Sequence, residues 1–411
     1  MGTKTLIKLV VALAVVGGIA AILDYTNSGG VSEVTSSTTK KKIFDQFPLN
    51  DVAKVEIVGK GTSLTLSKGK AAWEVAERDG YPADAEPIIK LLRDIWALEI
   101  VQPITIGRSQ FGRLSLIKPS ETDDEEEAAT ILTFSNAAGD SLSSLWLGKV
   151  YERSDNRPNP MGGGMAMTDA GRYVKTGDSN AVYLVGQTFN EATTDAPDWI
   201  NKNFFKVTRI KSIELLTGDK ANDWKLARNE PDGDFTLFGA KEGEELDQTK
   251  VTSMKGAFAN PAMEDVLTKA EAGSDENKVA KATFKIKTFD GFDYVIKTGE
   301  KNDLNQLPIS IKVSAQLNEE RKAGEDETEE DKDRLDKEFQ ENLNELKTKL
   351  ANEKKLEGET YIVRSYLVDN ISKPRADLMV SEEDPAPQSS PEGNQGLPPG
   401  LDLQGIPGLG N

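Results

Sequence analysis

The pattern of apolar and polar positions first separates an N-terminal segment from the rest of the chain. Leu9–Leu23 are fifteen consecutive residues without a charge or a hydroxyl group, and Lys4 and Lys8 precede them. A helix over Leu6–Leu23 would be about 27 Å long, close to the roughly 30 Å of a bilayer core. The lysines on its N-terminal side predict a cytoplasmic N-terminus. We therefore expect a transmembrane anchor over residues 1–23, in a single-pass protein of the inner (cytoplasmic) membrane with an extracytoplasmic body.

The same segment also fits a secretory signal peptide. Gly18, Ile19 and Ala20 place small residues where a signal peptidase cuts. Both alternatives export the chain, and they differ only in whether the segment is removed. Behind it, residues 24–42 contain ten Ser, Thr or Gly among nineteen residues, which predicts a flexible linker.

The body of the chain contains the same order of strand-like and helix-like patterns twice. Asp51–Val58 and Val207–Leu216 each read as an opening strand, and a strand-like stretch beginning at Trp73 or Trp224 follows each of them. An Asp then precedes apolar residues at offsets of 4, 7 and 11, which places them on one face of a helix with the Asp as N-cap. These residues are Asp84, Ile88, Leu91 and Ile95 in the first half, and Asp247, Val251, Met254 and Phe258 in the second.

Four further strand-like segments follow in the same order in both halves. The pairs are Ala129–Phe134 with Ala282–Phe289, Ser144–Gly148 with Phe292–Gly299, Arg172–Thr176 with Ile309–Val313, and Ala181–Val185 with Thr360–Arg364. We therefore predict an α+β fold of two tandem similar units, residues 43–205 and 206–381, that superpose on each other. Each unit is expected to be a mostly antiparallel sheet with a covering helix, and Trp73 and Trp224 are expected to pack between the two.

Three segments interrupt the correspondence between the halves: Ser120–Glu127, Arg153–Asp169 and Glu319–Glu357. The last is predicted to be helical, because its large apolar residues fall on one narrow stripe. The stripe residues, which are our candidate partner contacts, are Leu335, Phe339, Leu343, Leu346 and Leu350. Two placements are open: the helix folds back and buries the stripe in its own unit, or it projects between two strands and offers the stripe to a partner.

Composition excludes more chemistry than it suggests. The chain has no Cys and no His, which rules out disulfides, zinc and haem sites built on these residues, and histidine-activated nucleophiles. Its net charge of −18 argues against nucleic-acid binding. Almost all of that charge lies in residues 121–127, 319–357 and 382–411. The last stretch is rich in Pro and Gly and is predicted to be a disordered tail.

The motifs that could carry chemistry have simpler explanations. Gly162–Gly164 lacks the Gly-Lys-Ser/Thr of a phosphate-binding loop and is predicted to be a hairpin tip. Asp232–Asp234 resembles the start of a calcium loop, but Gly243 stands where the closing Glu belongs, so a turn is expected. No pair of acids is nominated for glycoside hydrolysis, which stays open as an alternative. We predict no catalytic residues, no metal site and no cofactor.

Several features together resemble one protein family. They are the N-terminal apolar segment, the duplication, the absence of Cys, the element Tyr81-Pro82-Ala83-Asp84 before the first helix, and the strands with Tyr173-Val174 and Val182-Tyr183-Leu184. Over about residues 43–380, and better in the first half, the chain is similar to the bacterial domain-of-unknown-function family 4340. Members of that family are often associated with ABC transporters of the gliding-motility auxiliary type. The resemblance therefore implies transporter subunits as partners, and it implies no catalytic residues.

Three functions follow from these observations. The first is a membrane-anchored, extracytoplasmic, non-catalytic accessory or scaffold protein of a cell-envelope complex, such as an ABC transporter. The second is an exported binding module that holds a glycan or a peptide in the groove between the two units. The third is a carboxylate-dependent hydrolase. The expected partners are the membrane, through the N-terminal helix, and envelope proteins; nucleic acid is not expected.

Overall fold

A computed structural model describes residues 41–158, 165–177, 179–324 and 327–380. The predicted anchor, nearly all of the predicted linker and the predicted tail lie outside these residues, and so does the glycine run at 162–164. Within the described ranges, no helix combines the length and the apolar character needed to cross a membrane.

The first half of the chain folds into one antiparallel sheet and a helix. Its elements are β1 (Lys54–Val58), β2 (Ser63–Lys68), β3 (Trp73–Val75), β4 (Tyr81–Pro82), α1 (Ala85–Trp96), β5 (Ile100–Ile104), β6 (Thr130–Ser135), β7 (Ser141–Pro158), β8 (Met165–Thr176) and β9 (Val182–Val185). The strands lie side by side in the order β4-β3-β2-β1-β6-β7-β8-β9-β5. Every pairing between neighbours is antiparallel.

The second half forms another antiparallel sheet with four helices, three of them one turn long. Its elements are β10 (Ile210–Leu216), β11 (Trp224–Ala227), β12 (Thr236–Leu237), α2 (Gln248–Val251), β13 (Met263–Leu267), α3 (Lys269–Ala272), β14 (Ala282–Thr288), β15 (Phe292–Thr298), β16 (Gln306–Ala315), α4 (Glu329–Glu353), β17 (Thr360–Arg364) and α5 (Tyr366–Asp369). The strand order is β12-β11-β10-β14-β15-β16-β17-β13. The predicted α+β class is confirmed, as two antiparallel sheets with few helices.

The two sheets have the same strand order apart from the extra edge strand β4. In both, the strand that follows the covering helix, β5 or β13, lies at the far edge beside the last strand of its half. The residue before each helix cap also pairs with the end of its own half, Ala83 with Ile200 and Leu246 with Met379. That the two units superpose as a whole stays a prediction.

Helix α1 forms where the spacing predicted it. The Asp84 carboxylate accepts a hydrogen bond from the Glu86 backbone N–H at 3.0 Å, which satisfies one of the free donors of the first turn. The predicted face is buried against the sheet, because Ile88, Leu91 and Ile95 are at most 1% exposed. Asp84 and its counterpart Asp247, which caps α2 by bonding the Thr249 N–H, are therefore helix caps.

Two predicted equivalences between the halves are wrong in detail. Trp73 begins β3, whereas Trp224 begins β11, which pairs directly with β10 and so occupies the place of β2. The second covering helix is also shorter than predicted, since α2 ends at Val251 and a 3₁₀ turn continues to Gly256. Phe258 is buried as expected but lies beyond the helix with a φ of 56°.

The segment Arg153–Asp169 is largely a β-ribbon. β7 continues through Pro158 and β8 starts at Met165, and the two strands pair outward to these ends. Around Asp232 a turn separates β11 from β12, as predicted. The acidic segment at 121–127 ends in a 3₁₀ turn whose N-cap is the Asp124 carboxylate.

Helix α4 covers part of the core face of the second sheet. Lys349 lies over the ring of Phe292, with 4.2 Å from the ammonium to the centroid, and donates a hydrogen bond to the hydroxyl of Tyr294. Both rings belong to β15 and point into the same core as Phe258 and Phe205. Helix α4, which belongs to the long insertion, thus packs on the core face of the second sheet together with the short α2.

Candidate functional site: the groove between the two halves

A groove of about 760 Å³ lies where the two halves of the chain meet. Three parts of the chain form its walls: the turn that leads into β4, the connector before β10, and the C-terminal end of α4. The volume lies in the range of small-molecule sites, about 300–1,000 Å³. This groove is therefore the site whose chemistry we describe.

The turn at Arg78–Tyr81 joins the first half to the second. The Arg78 guanidinium donates two hydrogen bonds to the carboxylate of Asp265 on β13, Nε to Oδ1 at 2.8 Å and Nη2 to Oδ2 at 2.6 Å. Asp79 has a left-handed backbone, with a φ of 53°, and its carboxylate accepts the Lys269 N–H at the start of α3. Both contacts are charge-assisted, and the first is bidentate, so they fix the position of the turn in the groove wall.

An aromatic cluster forms the apolar side of the groove. The ring of Tyr81 meets the ring of Tyr361 on β17 edge to face, at 6.3 Å between centroids. Phe204 of the connector packs against the same Tyr361 ring at 4.9 Å and against Phe205 at 4.7 Å. Burial raises the pKa of both tyrosines, so their hydroxyl groups stay protonated at physiological pH.

A buried polar cluster closes one end of the groove. The Glu353 carboxylate, only 5% exposed, accepts hydrogen bonds from the Tyr294 hydroxyl at 2.7 Å and from the Lys206 backbone N–H at 2.8 Å. The Lys349 ammonium lies 2.8 Å from the same carboxylate and 2.5 Å from the Tyr294 oxygen. Each carboxylate oxygen therefore has a partner, as a buried charge requires.

The chemistry of this cluster is structural. Burial, and then the neighbouring Glu353, raise the pKa of Tyr294 well above its usual value. Tyr294 is therefore a neutral hydroxyl that donates a hydrogen bond to Glu353, and it cannot act as a general base. Lys349 is an ammonium paired with a carboxylate, which leaves it no lone pair for nucleophilic attack. The cluster holds the end of α4 against β15 and the connector.

The remaining polar groups of the groove suit non-covalent binding. Asn201, Asn203 and Asn352 contribute side-chain amides, which both donate and accept hydrogen bonds. Lys355 donates to the Asn352 side chain at 2.9 Å, whereas the Lys206 ammonium forms no ion pair with a described residue. Amides, one uncommitted cation and an aromatic side together can hold a polar ligand or a peptide.

The predicted partner-contact stripe does not line this groove. Leu343 is 5% exposed, and Leu346 and Leu350 pack against the main core, so this part of α4 is folded back on its own half. Leu335 and Phe339, nearer the start of the helix, are half-buried. A contact role for the stripe stays a prediction, and the structure restricts it to the first turns of the helix.

Sequence reasoning did not identify the residues that form the groove. Arg78 and Asp265 are 187 positions apart, and Lys206 and Glu353 are 147 apart. Neither pair belongs to a motif, and Glu353 stands in a stretch of many charged residues. The only usable signal was the predicted duplication, which implied a groove between the halves without naming its residues.

Comparison with known proteins gives one match. A family model described as a domain of unknown function (DUF4340) matches residues 161–285, which span the end of the first half and the start of the second. The chain thus resembles that family, over a shorter range than the sequence features suggested. No curated protein and no solved structure matches the chain.

Proposed function

We propose that the protein is a membrane-anchored, extracytoplasmic accessory protein without catalytic activity, which binds a component of a cell-envelope complex in the groove between its two halves. The groove is the observation that carries the proposal, because both halves and the connector contribute hydrogen-bonding groups to it. The anchor is the predicted helix at residues 1–23, in the cytoplasmic membrane. ABC transporter subunits are the partners that the family resemblance suggests.

The groove supports binding better than it supports hydrolysis. Its buried carboxylate, Glu353, already accepts bonds from Tyr294, Lys206 and Lys349. A glycosidase needs two carboxyl groups facing one bond, with one of them free to donate a proton. The other groove acids are Asp79, which bonds the Lys269 N–H, and Glu359. This arrangement holds the fold together and leaves the amides and Lys206 for a partner.

Affinity purification of the full chain from membranes tests the proposal. Lys206→Glu reverses the uncommitted charge in the groove, and Lys202→Glu reverses an exposed charge four residues away that does not line it. We expect the native chain and Lys202→Glu to retain the same partners and Lys206→Glu to lose at least one. Identical partner sets for all three proteins would contradict binding through the groove.

The same groove favours a second candidate, an exported module that binds a glycan or a peptide. The specific observation is the combination of three asparagine amides with the aromatic rings of Tyr81 and Phe204. Native mass spectrometry of gently purified protein separates the candidates. A small bound mass that Lys206→Glu loses supports this module, and a bound protein supports the accessory role.

A further inference from the structure

One face of the second sheet carries a group of lysines that the groove does not use. We call it the lysine face, and its members are Lys225, Lys285, Lys287, Lys297 and Lys312. All but Lys225 are exposed, and Lys225 is half-exposed. The residues that alternate with them along the strands, such as Phe284, Ile286 and Ile311, are at most 1% exposed and face the core. The lysines therefore stand on the side of the sheet opposite the core.

The register brings these lysines together. Lys225 lies opposite Glu214, Glu214 opposite Lys285, Lys285 opposite Val295, and Val295 opposite Lys312. This row crosses five strands, or about 19 Å at roughly 4.8 Å per strand. Lys287 and Lys297 stand in the neighbouring rows of the same face.

The lysine face is positive although the chain is strongly acidic. Its five lysines stand against two carboxylates, Glu214 and Asp293, which lie 3.7 Å from Lys285 and 2.7 Å from Lys287. Lys297 and Lys312 have no ion pair with a described residue. A positive patch on a protein of net charge −18 fits an anionic partner.

The fold itself does not require lysines at these positions. Glu56 in β1 occupies the same place as Glu214 in β10, and its neighbours across the strands are Thr65 and Thr133. The positions that hold Lys225 and Lys285 in the second sheet thus hold threonines in the first. The first sheet is also covered on this face, because Trp146 and Tyr173 pack with Phe111 and Leu116 in a small second core.

An exposed aromatic residue stands at the edge of the lysine face. Phe238 is 73% exposed, and its ring lies 5.5 Å from the Lys225 ammonium. Lysines beside an exposed aromatic ring are typical of surfaces that rest on the headgroups of a bilayer. An acidic protein segment would satisfy the lysines but would give no reason for an exposed phenylalanine.

The predicted linker would hold the body close to the membrane, so a weak electrostatic attraction is sufficient for docking. Seventeen residues, 24–40, separate the predicted anchor from the first described residue, a distance of roughly 25 Å for a flexible chain. A body held this close to the membrane meets its lipids at a high effective concentration. Each lysine near an anionic surface adds to the attraction.

We propose that the lysine face, with Phe238 at its edge, docks the body of the protein on an anionic lipid surface. The inference rests on the proposed membrane anchor and adds an orientation, in which the second sheet lies flat on the membrane. No residue of the lysine face lines the groove, so docking and binding in the groove use separate residues.

Cysteine labelling of the full chain in vesicles tests the orientation. The chain has no Cys, so Ser314→Cys places one label on the lysine face, and Ser63→Cys places one on the exposed end of β2 as the matched control. The probes are phosphatidylcholine vesicles with and without about 30% phosphatidylglycerol, and a maleimide that cannot cross membranes. We expect Ser314→Cys to react about tenfold more slowly in the anionic vesicles, with recovery at about 0.5 M salt. Ser63→Cys should react at one rate throughout.

Charge reversal then assigns the effect to the lysines. Lys297→Glu with Lys312→Glu, in the Ser314→Cys background, should remove the protection while the circular dichroism and thermal unfolding stay unchanged, because neither lysine has an ion pair with a described residue. Carbonate extraction tests the anchor separately, because it releases proteins that do not span the membrane. If the chain resists carbonate and Ser314→Cys reacts at the same rate in both kinds of vesicle, docking through the lysine face is wrong while the anchor stands. A chain that carbonate releases would contradict the anchor and, with it, the inference.

Discussion

At the residue scale, the most consequential side chain is Glu353. It is a buried carboxylate that ties α4, β15 and the connector together through Lys349, Tyr294 and the Lys206 N–H. A buried charge is costly unless every oxygen is satisfied, and removing one member of such a pair leaves the other unpaired. The cluster therefore stabilises the groove as long as it is complete.

We expect Glu353→Ala to lower the free energy of unfolding by about 3 kcal/mol, because it leaves the Lys349 ammonium without its carboxylate. The control is Glu345→Ala, an exposed position two turns earlier on the same helix, which should change stability by less than about 0.5 kcal/mol. Urea denaturation followed by circular dichroism measures both. Equal effects of the two variants would show that the cluster contributes little.

A second residue pair predicts a response to acid. The Arg375 guanidinium bonds both carboxylate oxygens of Glu244 and holds the pKa of Glu244 at about 2. Because the pKa is lowered in the folded state, the pair stabilises the fold above the unfolded pKa of about 4.3, and that stability is lost as the pH falls towards 2. Carbon-13 NMR should show Glu244 titrating near 2 in the native protein and at a higher pH in Arg375→Gln, where the hydrogen bond from the Lys241 N–H is the main one left to lower the pKa. If the pKa of Glu244 were the same in Arg375→Gln as in the native protein, Arg375 would not be what lowers it.

At the element scale, the sequence predicted elements whose signals are local. Helix α1 was predictable because Asp84, Ile88, Leu91 and Ile95 carry both a cap and a complete apolar face. Its counterpart α2 is shorter than predicted, although its apolar residues have the same spacing. The Thr252 hydroxyl bonds the Gln248 carbonyl, and the 3₁₀ turn that follows α2 ends at Gly256.

The groove, in contrast, depends on contacts between residues far apart in the chain. Arg78 meets Asp265 across 187 positions of the chain, and Lys206 meets Glu353 across 147. Periodicity and capping carry no information about such pairs. The length of the β7–β8 ribbon was equally hidden, since the charged and glycine-rich run at 153–169 does not alternate as a half-buried strand does.

The position of α4 leads to a prediction at the same scale. Leu343→Asp places a charge at a site that is 5% exposed, so we expect a loss of about 3 kcal/mol and a clear fall in Tm. Leu335→Asp, at a half-buried position near the start of the helix, should cost less than about 1 kcal/mol. Thermal unfolding measures both. A Leu343→Asp protein as stable as the native one would contradict the fold-back of the helix. A stable Leu335→Asp protein that kept every partner in a pull-down would contradict the contact role of the stripe.

At the scale of the whole molecule, the two halves form one body. The main core cluster is continuous from Phe47 in the first half to Leu378 in the second. The halves also share the Arg78–Asp265 ion pair and the contact between the rings of Tyr81 and Tyr361. The groove is bounded by both halves, so its shape depends on their staying joined.

This joining predicts cooperative unfolding. We expect calorimetry of the native protein to show a single transition. Separating the halves would leave the partly buried Asp265 without Arg78, and it would expose the ring of Tyr361, which is 0% exposed in the folded protein. Arg78→Ala combined with Tyr81→Ala weakens the junction and leaves every fully buried core residue in place, so the transition should broaden or divide into two, with the second half unfolding separately. Lys70→Ala, an exposed position in the same half as Arg78, should leave one sharp transition. Two transitions in the native protein would show that the halves unfold as independent units. One unchanged transition in the double variant would show that the contacts of Arg78 and Tyr81 are not what couples the halves.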